Sequence, residues 1–185
     1  KMNIFILSKD PVEAAQLQCD KHVVKMIVES AQMLSTAHRM LDGTPTRKKS
    51  KSGKTMVKYW DHPTMEDVLY KAVHIGHPCT VWTIESNANY EWHYKHFIAL
   101  CDEYEYRYNK VHSTRKLLEA ALKRPPTHIP WTNLYTPFKL AMAANPECIA
   151  LGDPIKAYRA FYQTKRDRFK MSWTSRSIPE WFQAA

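Results

Sequence analysis

Residues 19–34, "CDKHVVKMIVESAQML", set the period on which the fold is built. Val23, Val24, Ile27, Ala31 and Leu34 recur at helical spacing and form the apolar stripe that seats a helix on a core. Lys21, Lys25, Glu29, Gln32, Thr36 and Arg39 follow the same period. At 100° per residue they occupy a sector of roughly 80° beside that stripe. As part of a solvated face, the Lys25–Glu29 pair would add only about 0.2–0.5 kcal/mol, and Lys before Glu is the weaker order. Helix stability alone accounts poorly for the polar stripe. The competing reading is a base and a carboxylate held in place for chemistry.

Helical signals continue on both sides of this stretch. Upstream, "NIFIL" (3–7) reads as a brief strand or an extended arm packed on helices. "DPVEAAQLQC" (10–19) opens a helix with Asp10 as cap, Pro11 in the first turn and Glu13 completing a capping box. The main helix is expected over 20–41 and ends at "LDGTPT" with Gly43 and Pro45. Further helices are expected over 64–74, over 80–110, from Ser113, and from the Asp153 cap to about residue 169. His62-Pro63 and His77-Pro78 are expected to mark helix starts. "KRPPTHIPWTNLYTPF" (123–138) is too rich in proline for anything but an irregular connection. With no repeat, low-complexity segment or linker, the expected fold is mainly α. It is a single-domain helical bundle over residues 1–185, with a Pro-rich connection and a basic, aromatic C-terminal tail.

Charge is the unusual bulk property. The 27 Lys+Arg against 18 Asp+Glu leave a formal net charge of +9, which favours an anionic partner, nucleic acid first. Residues 47–58, "RKKSKSGKTMVK", hold six basic residues and no acid, and read as a mobile solvated loop able to touch phosphates. "SGKT" (52–55) imitates the end of a Walker A loop, but Lys48 stands where its first glycine belongs. Between Lys156 and Arg176, seven basic residues interleave with Tyr158, Phe161, Tyr162, Phe169 and Trp173, a pattern that screens phosphates and stacks on bases. The terminal "SRSIPEWF" is the part of that segment most suited to contact. The candidate DNA contacts are His22, Arg39, Lys48, Lys49, Lys51, Lys54, Lys165, Arg166, Arg168, Lys170, Trp173, Arg176 and Trp181.

Other chemistries are disfavoured. Cys19, Cys79, Cys101 and Cys148 stand apart, without CxxC or a Cys/His metal spacing, and read as reduced, mostly buried thiols. No histidine pair forms HExxH, no serine sits in a nucleophile elbow, and no GxGxxG turn awaits a dinucleotide. No metal or cofactor is expected. No stretch matches a membrane span, and "NIFIL" is too short for a signal-peptide core. The expectation is a cytoplasmic monomer, in host cytoplasm if phage-encoded, acting on double-stranded DNA.

The apolar arm, the "VESAQML" glutamate, the "HPCTVW…CDEYEYRY" helix and the terminal "SRSIPEWF" stand in an order that resembles the phage pyrimidine-dimer DNA glycosylases. These are repair enzymes of the endonuclease V type, with bacterial relatives. The resemblance runs in order along nearly the whole chain, with residues 42–60 and 112–150 as additions. It implies a helical, metal-independent enzyme that breaks the glycosidic bond of a pyrimidine dimer. The nucleophile would be the N-terminal amine, which forms a Schiff base and then allows strand cleavage. It maps the essential glutamate onto Glu29, and a DNA-gripping tail onto "RSIPEWF". The sequence opens "KMN", so with Lys1 absent the amine is that of Met2; Lys21 and Lys25 are the other candidate nitrogens. An α-amine near pKa 7.7–8.0 is the easier nucleophile, since a lysine near 10.4 needs depression by roughly 2.5–3 units. Glu29 would stabilise charge on the sugar and shuttle protons. The alternatives are a noncatalytic basic DNA-binding phage protein, or a base-modifying enzyme on the same scaffold.

Overall fold

The computed structural model describes residues 2–183, apart from the side chain of Gln183. About half the chain is helical, and one two-stranded sheet accompanies the helices. The elements run α1 (Pro11–Gln16), α2 (Asp20–Asp42), β1 (Thr44–Lys49), β2 (Met56–Asp61), α3 (Pro78–Ile84), α4 (Asn87–Tyr108), α5 (Ser113–Leu122), α6 (Pro146–Ile149), α7 (Pro154–Gln163) and α8 (Glu180–Gln183). The expected Asp10 and Asp153 caps form, but the Asp10 amide donates to Ser8 Oγ at 3.1 Å, so Glu13 does not complete a capping box. Asp10 accepts from the Val12 amide and Asp153 from the Lys156 amide, each followed by a proline in the first turn. Helix α2 packs on α4, α3 and α5, and α1 covers another part of α4. All four cysteines are buried, free thiols. Among the described residues, no helix is long and apolar enough to cross a membrane.

The arm before α1 is extended but joins no sheet. Residues 2–8 are buried, and side chains satisfy several of their backbone groups. Gln18 donates to the Ile4 carbonyl at 3.1 Å, and Arg159 to the Leu7 carbonyl at 3.0 Å. Phe5 sits at φ 58° and stacks on His22 at 4.4 Å between ring centroids.

Several expectations need correction. A pure helical bundle does not describe the chain, because the basic 47–58 run is a hairpin rather than a mobile loop. Its strands pair antiparallel from Thr44↔Asp61 to Lys49↔Met56, and the "SGKT" residues form the turn, with Gly53 at φ 73°. The helix expected over 64–74 is absent. Segment 62–73 is instead stitched to α2: Arg39 donates to the carbonyls of Trp60, Glu66, Leu69 and Tyr70, and Thr36 and Ser35 accept the Val73 and Tyr70 amides. His62-Pro63 accordingly begins a run of turns, whereas His77-Pro78 does start α3. The helix expected over 80–110 breaks at Glu85-Ser86, where Ser86 caps α4 by accepting from the Asn89 amide. Helix α5 is capped by His112, one residue before Ser113. The last long helix ends at Gln163 and continues only as a 3-10 turn over Thr164–Asp167.

Candidate active site

The polar stripe of α2 runs from solvent into the interior. Lys21 and Lys25 are exposed; Glu29, Thr36 and Arg39 are buried. At the transition, Glu29 Oε1 accepts the backbone N–H of Asn3 at 3.1 Å, and Oε2 lies 3.8 Å from Lys25 Nζ. Asn3 is fixed in turn. Its side-chain amide donates to the Ala141 carbonyl at 3.0 Å, and its Oδ1 accepts the Ile4 and Phe5 amides at 2.8 and 3.0 Å. Burial pushes the Glu29 carboxyl above the usual carboxylate range, against the opposing pull of Lys25 and the Asn3 N–H. A buried carboxyl between a backbone N–H and a lysine is placed to take up and release protons.

Beside this pair opens a cleft of 680 Å³, within the range of small-molecule sites. Met2, Asn3 and Phe5 form one wall, residues 140–145 another, and His74, His77, Phe161, Thr164, Lys165 and Arg168 complete it. His77 Nδ1 accepts the Cys79 amide at 3.1 Å, so in the neutral ring the other nitrogen carries the proton; the ring donates toward the Met2 carbonyl. Burial, then neighbouring His74, hold His77 below the ordinary imidazole range. His74 adopts φ 48°, a conformation that L side chains rarely take. Lys165 lies 4.5 Å from the Phe161 ring centroid, so the cleft combines cations with aromatic faces.

The candidates from the sequence separate into three groups. Met2, Lys165 and Arg168 line the cleft, whereas Glu29 and Lys25 do not and connect to it through the bond from Glu29 to Asn3. Lys49, Lys51, Lys54 and Lys170 are exposed, the first three on the hairpin. Lys48 is exposed too, but pairs with Asp61 at 2.8 Å, and Lys21 stands 4.4 Å over the Phe169 ring. The third group is structural, and here the expected DNA contacts are corrected. Arg39 is buried with its donors committed to four carbonyls and to Glu66 Oε1 at 2.6 Å, so no phosphate can reach it. His22 is buried 2.7 Å from Tyr162 Oη, and burial, then Lys165, Lys25 and Lys21, push it down to about 3. Trp173 is buried and donates to the Leu17 carbonyl at 2.8 Å. Arg176 forks onto Glu103 at 2.8 and 3.0 Å, and Arg166 bonds the Phe182 carbonyl. Trp181 is half-buried against Tyr162 and Phe182.

Asn3, Phe5 and His74 were not among the candidates, and His77 was read only as a helix start. No local pattern marks the first three, whose roles come from contacts with distant segments. The structure also gathers His38, Asp42 and His62, whose ligand atoms lie within 4.8 Å of one another, although no metal spacing is visible in the sequence. His62 Nδ1 accepts the Met65 amide at 3.0 Å, which leaves the neutral ring's proton on the buried Nε2. That nitrogen presents a proton and has no hydrogen-bond partner, and both Asp42 oxygens already accept from Thr127 and His128, so the trio is poorly prepared for a cation. Comparison with protein-family models, with curated proteins and with solved structures returns no match.

Proposed function

We propose that the protein is a DNA glycosylase with lyase activity, acting on a damaged or modified pyrimidine in duplex DNA. The observation that carries this reading is the Asn3–Glu29 hydrogen bond at the wall of the cleft. Met2 lies one peptide unit, about 3.8 Å between Cα atoms, upstream of the nitrogen that Glu29 holds. On a chain that begins at Met2, that residue carries an α-amine at the cleft. The amine attacks C1′ of the extruded nucleotide, the C1′–base bond breaks, and the base leaves with a proton. Loss of the amine proton and opening of the sugar ring leave an imine. Glu29 carries these protons and later takes one from C2′, which expels the 3′-phosphate. Lys165 and Arg168 supply positive charge for the flanking phosphates, and Phe161 and Phe5 supply apolar surface.

The test is borohydride trapping on a duplex holding a cyclobutane pyrimidine dimer, with no metal added and with protein starting at Met2. A covalent adduct is expected, and nicking of ultraviolet-irradiated plasmid with it. Glu29→Gln is expected to lower adduct formation about 10²- to 10⁴-fold. Extending the chain ahead of Met2 should abolish the adduct while Lys25→Met retains it; the reverse would transfer the nucleophile to Lys25. Salt-sensitive binding without an adduct or nicking would reduce the protein to a noncatalytic DNA-binding module.

A further inference from the structure

Leu134 and Tyr135 are 69% and 63% exposed, the highest values among the large apolar side chains of the described residues, and Trp131 beside them is 49% exposed. The backbone that presents them is firmly anchored. Asn87 and Asn133 exchange two hydrogen bonds, Asn87 Nδ2 to Asn133 Oδ1 at 2.7 Å and the Asn133 amide to Asn87 Oδ1 at 2.9 Å. Asn89 does the same at Thr136, accepting its amide at 3.0 Å and donating to its Oγ1 at 2.7 Å. Trp82 Nε1 donates to the Thr136 carbonyl at 3.1 Å, and Trp131 Nε1 to the Thr127 carbonyl at 2.8 Å. Asn133 takes the left-handed conformation, φ 59°, that asparagine tolerates better than most residues. Asn87 and Asn89 are buried, so polar groups have been withdrawn from water to fix this loop. The bonds satisfy buried polar atoms of Trp82 and Asn89, while the Leu134 and Tyr135 side chains of the loop stay in solvent.

We infer that loop 131–136 is a wedge that enters the base stack of duplex DNA next to the cleft, led by Leu134 and Tyr135. The inference rests on the DNA reading above. Helix α3 connects the two features: His77, ahead of its first turn, lines the cleft, and Glu85 at its end accepts from Thr136 Oγ1 at 2.6 Å and pairs with Lys139 at 3.4 Å. The eight residue steps from His77 to Glu85 rise about 12 Å, the rise of three to four base pairs. The wedge and the cleft therefore fit one distorted stretch of duplex, within a protein of net charge +9. Apolar side chains that unstack a step lower the cost of extruding a neighbouring nucleotide, and a tyrosine ring can stack on the base left behind.

The experiment uses full-length protein and an undamaged duplex carrying 2-aminopurine, whose fluorescence rises on unstacking. Wild type is expected to raise it; the Leu134→Ala/Tyr135→Ala double variant, both sites on the surface, should still bind and lose most of the rise. Leu134→Met/Tyr135→Phe should restore it. On dimer-containing duplex the alanine variant should form adduct roughly 10- to 100-fold more slowly. Equal fluorescence from the alanine variant, or wild-type binding without any rise, overturns the wedge. The fluorescence needs no covalent step, so unstacking without an adduct would sink the proposed chemistry and leave the wedge standing. Wild type that binds no duplex overturns both, and the loop would then suit a protein partner.

Discussion

Two buried glutamates on the two long helices behave in opposite ways. Glu103 on α4 is 3% exposed and held by Arg107 at 2.8 Å and by both nitrogens of the Arg176 fork. Burial works against its charge, but Arg176 and Arg107 outweigh that and hold its carboxyl below the usual range. Glu29 on α2 is 8% exposed, with one lysine at 3.8 Å and one backbone N–H, and burial leaves it above that range. The first is locked as an ion pair that ties the C-terminal tail to α4. The second is under-compensated, and the Asn3 it holds lines a cleft. A buried carboxyl with too few partners is what proton transfer requires, and a saturated one is what architecture requires.

The largest test of this contrast compares stabilities. Glu103→Gln leaves two arginines facing a neutral group and is expected to cost about 3–5 kcal/mol in denaturant melts. Glu29→Gln keeps an acceptor for the Asn3 amide and should change stability by less than about 1 kcal/mol. Similar losses from both would show that Glu29 is also structural.

Acid should separate the two regions next. His22 beside the arm is pushed down to about 3 and His96 to about 4, both first by burial. Folded values below the unfolded value near 6.5 mean that the unfolded chain binds more protons in between. Stability is therefore complete above pH 6.5 and falls as pH drops toward 4, by about 1.4 kcal/mol per pH unit for each histidine. Glu103, lowered in the fold, loses its contribution only below the ordinary carboxylate range. Hydrogen exchange should show the arm amides and the α4 turn around His96 opening between pH 6 and 4 while the Glu103–Arg107 turn stays protected. Simultaneous opening would erase the distinction.

The smallest expected effect concerns exposed charges on the hairpin turn. Lys51→Ala and Lys54→Ala on the hairpin should each reduce the slope of log affinity against log salt by about 1, with stability within about 0.5 kcal/mol of wild type. No change in slope would remove the hairpin from the DNA surface.

The difference between the two glutamates also marks what the sequence makes legible. Periodicity located α2 and put Glu29 in a stripe too costly to ignore, and Asp-Pro pairs gave the starts of α1 and α7. Those signals are local. Arg39 lies in the same stripe, yet it takes the Glu66, Leu69 and Tyr70 carbonyls that a helix over 64–74 would have bonded internally. Arg176 likewise read as a phosphate contact because its partner, Glu103, is 73 residues away. Charge predicts attraction to an anion, but it does not say whether that anion belongs to the protein.

The buried arm has a consequence for synthesis. Asn3 and Leu7 are translated some 140–150 residues ahead of Ala141 and Arg159, the residues that hold them. At about 5–20 residues per second that interval is on the order of 10 s. An unfinished chain therefore lacks Ala141 and Arg159, and the arm is fixed in place only as a late event. Truncated products would carry the ingredients of the site in inert form.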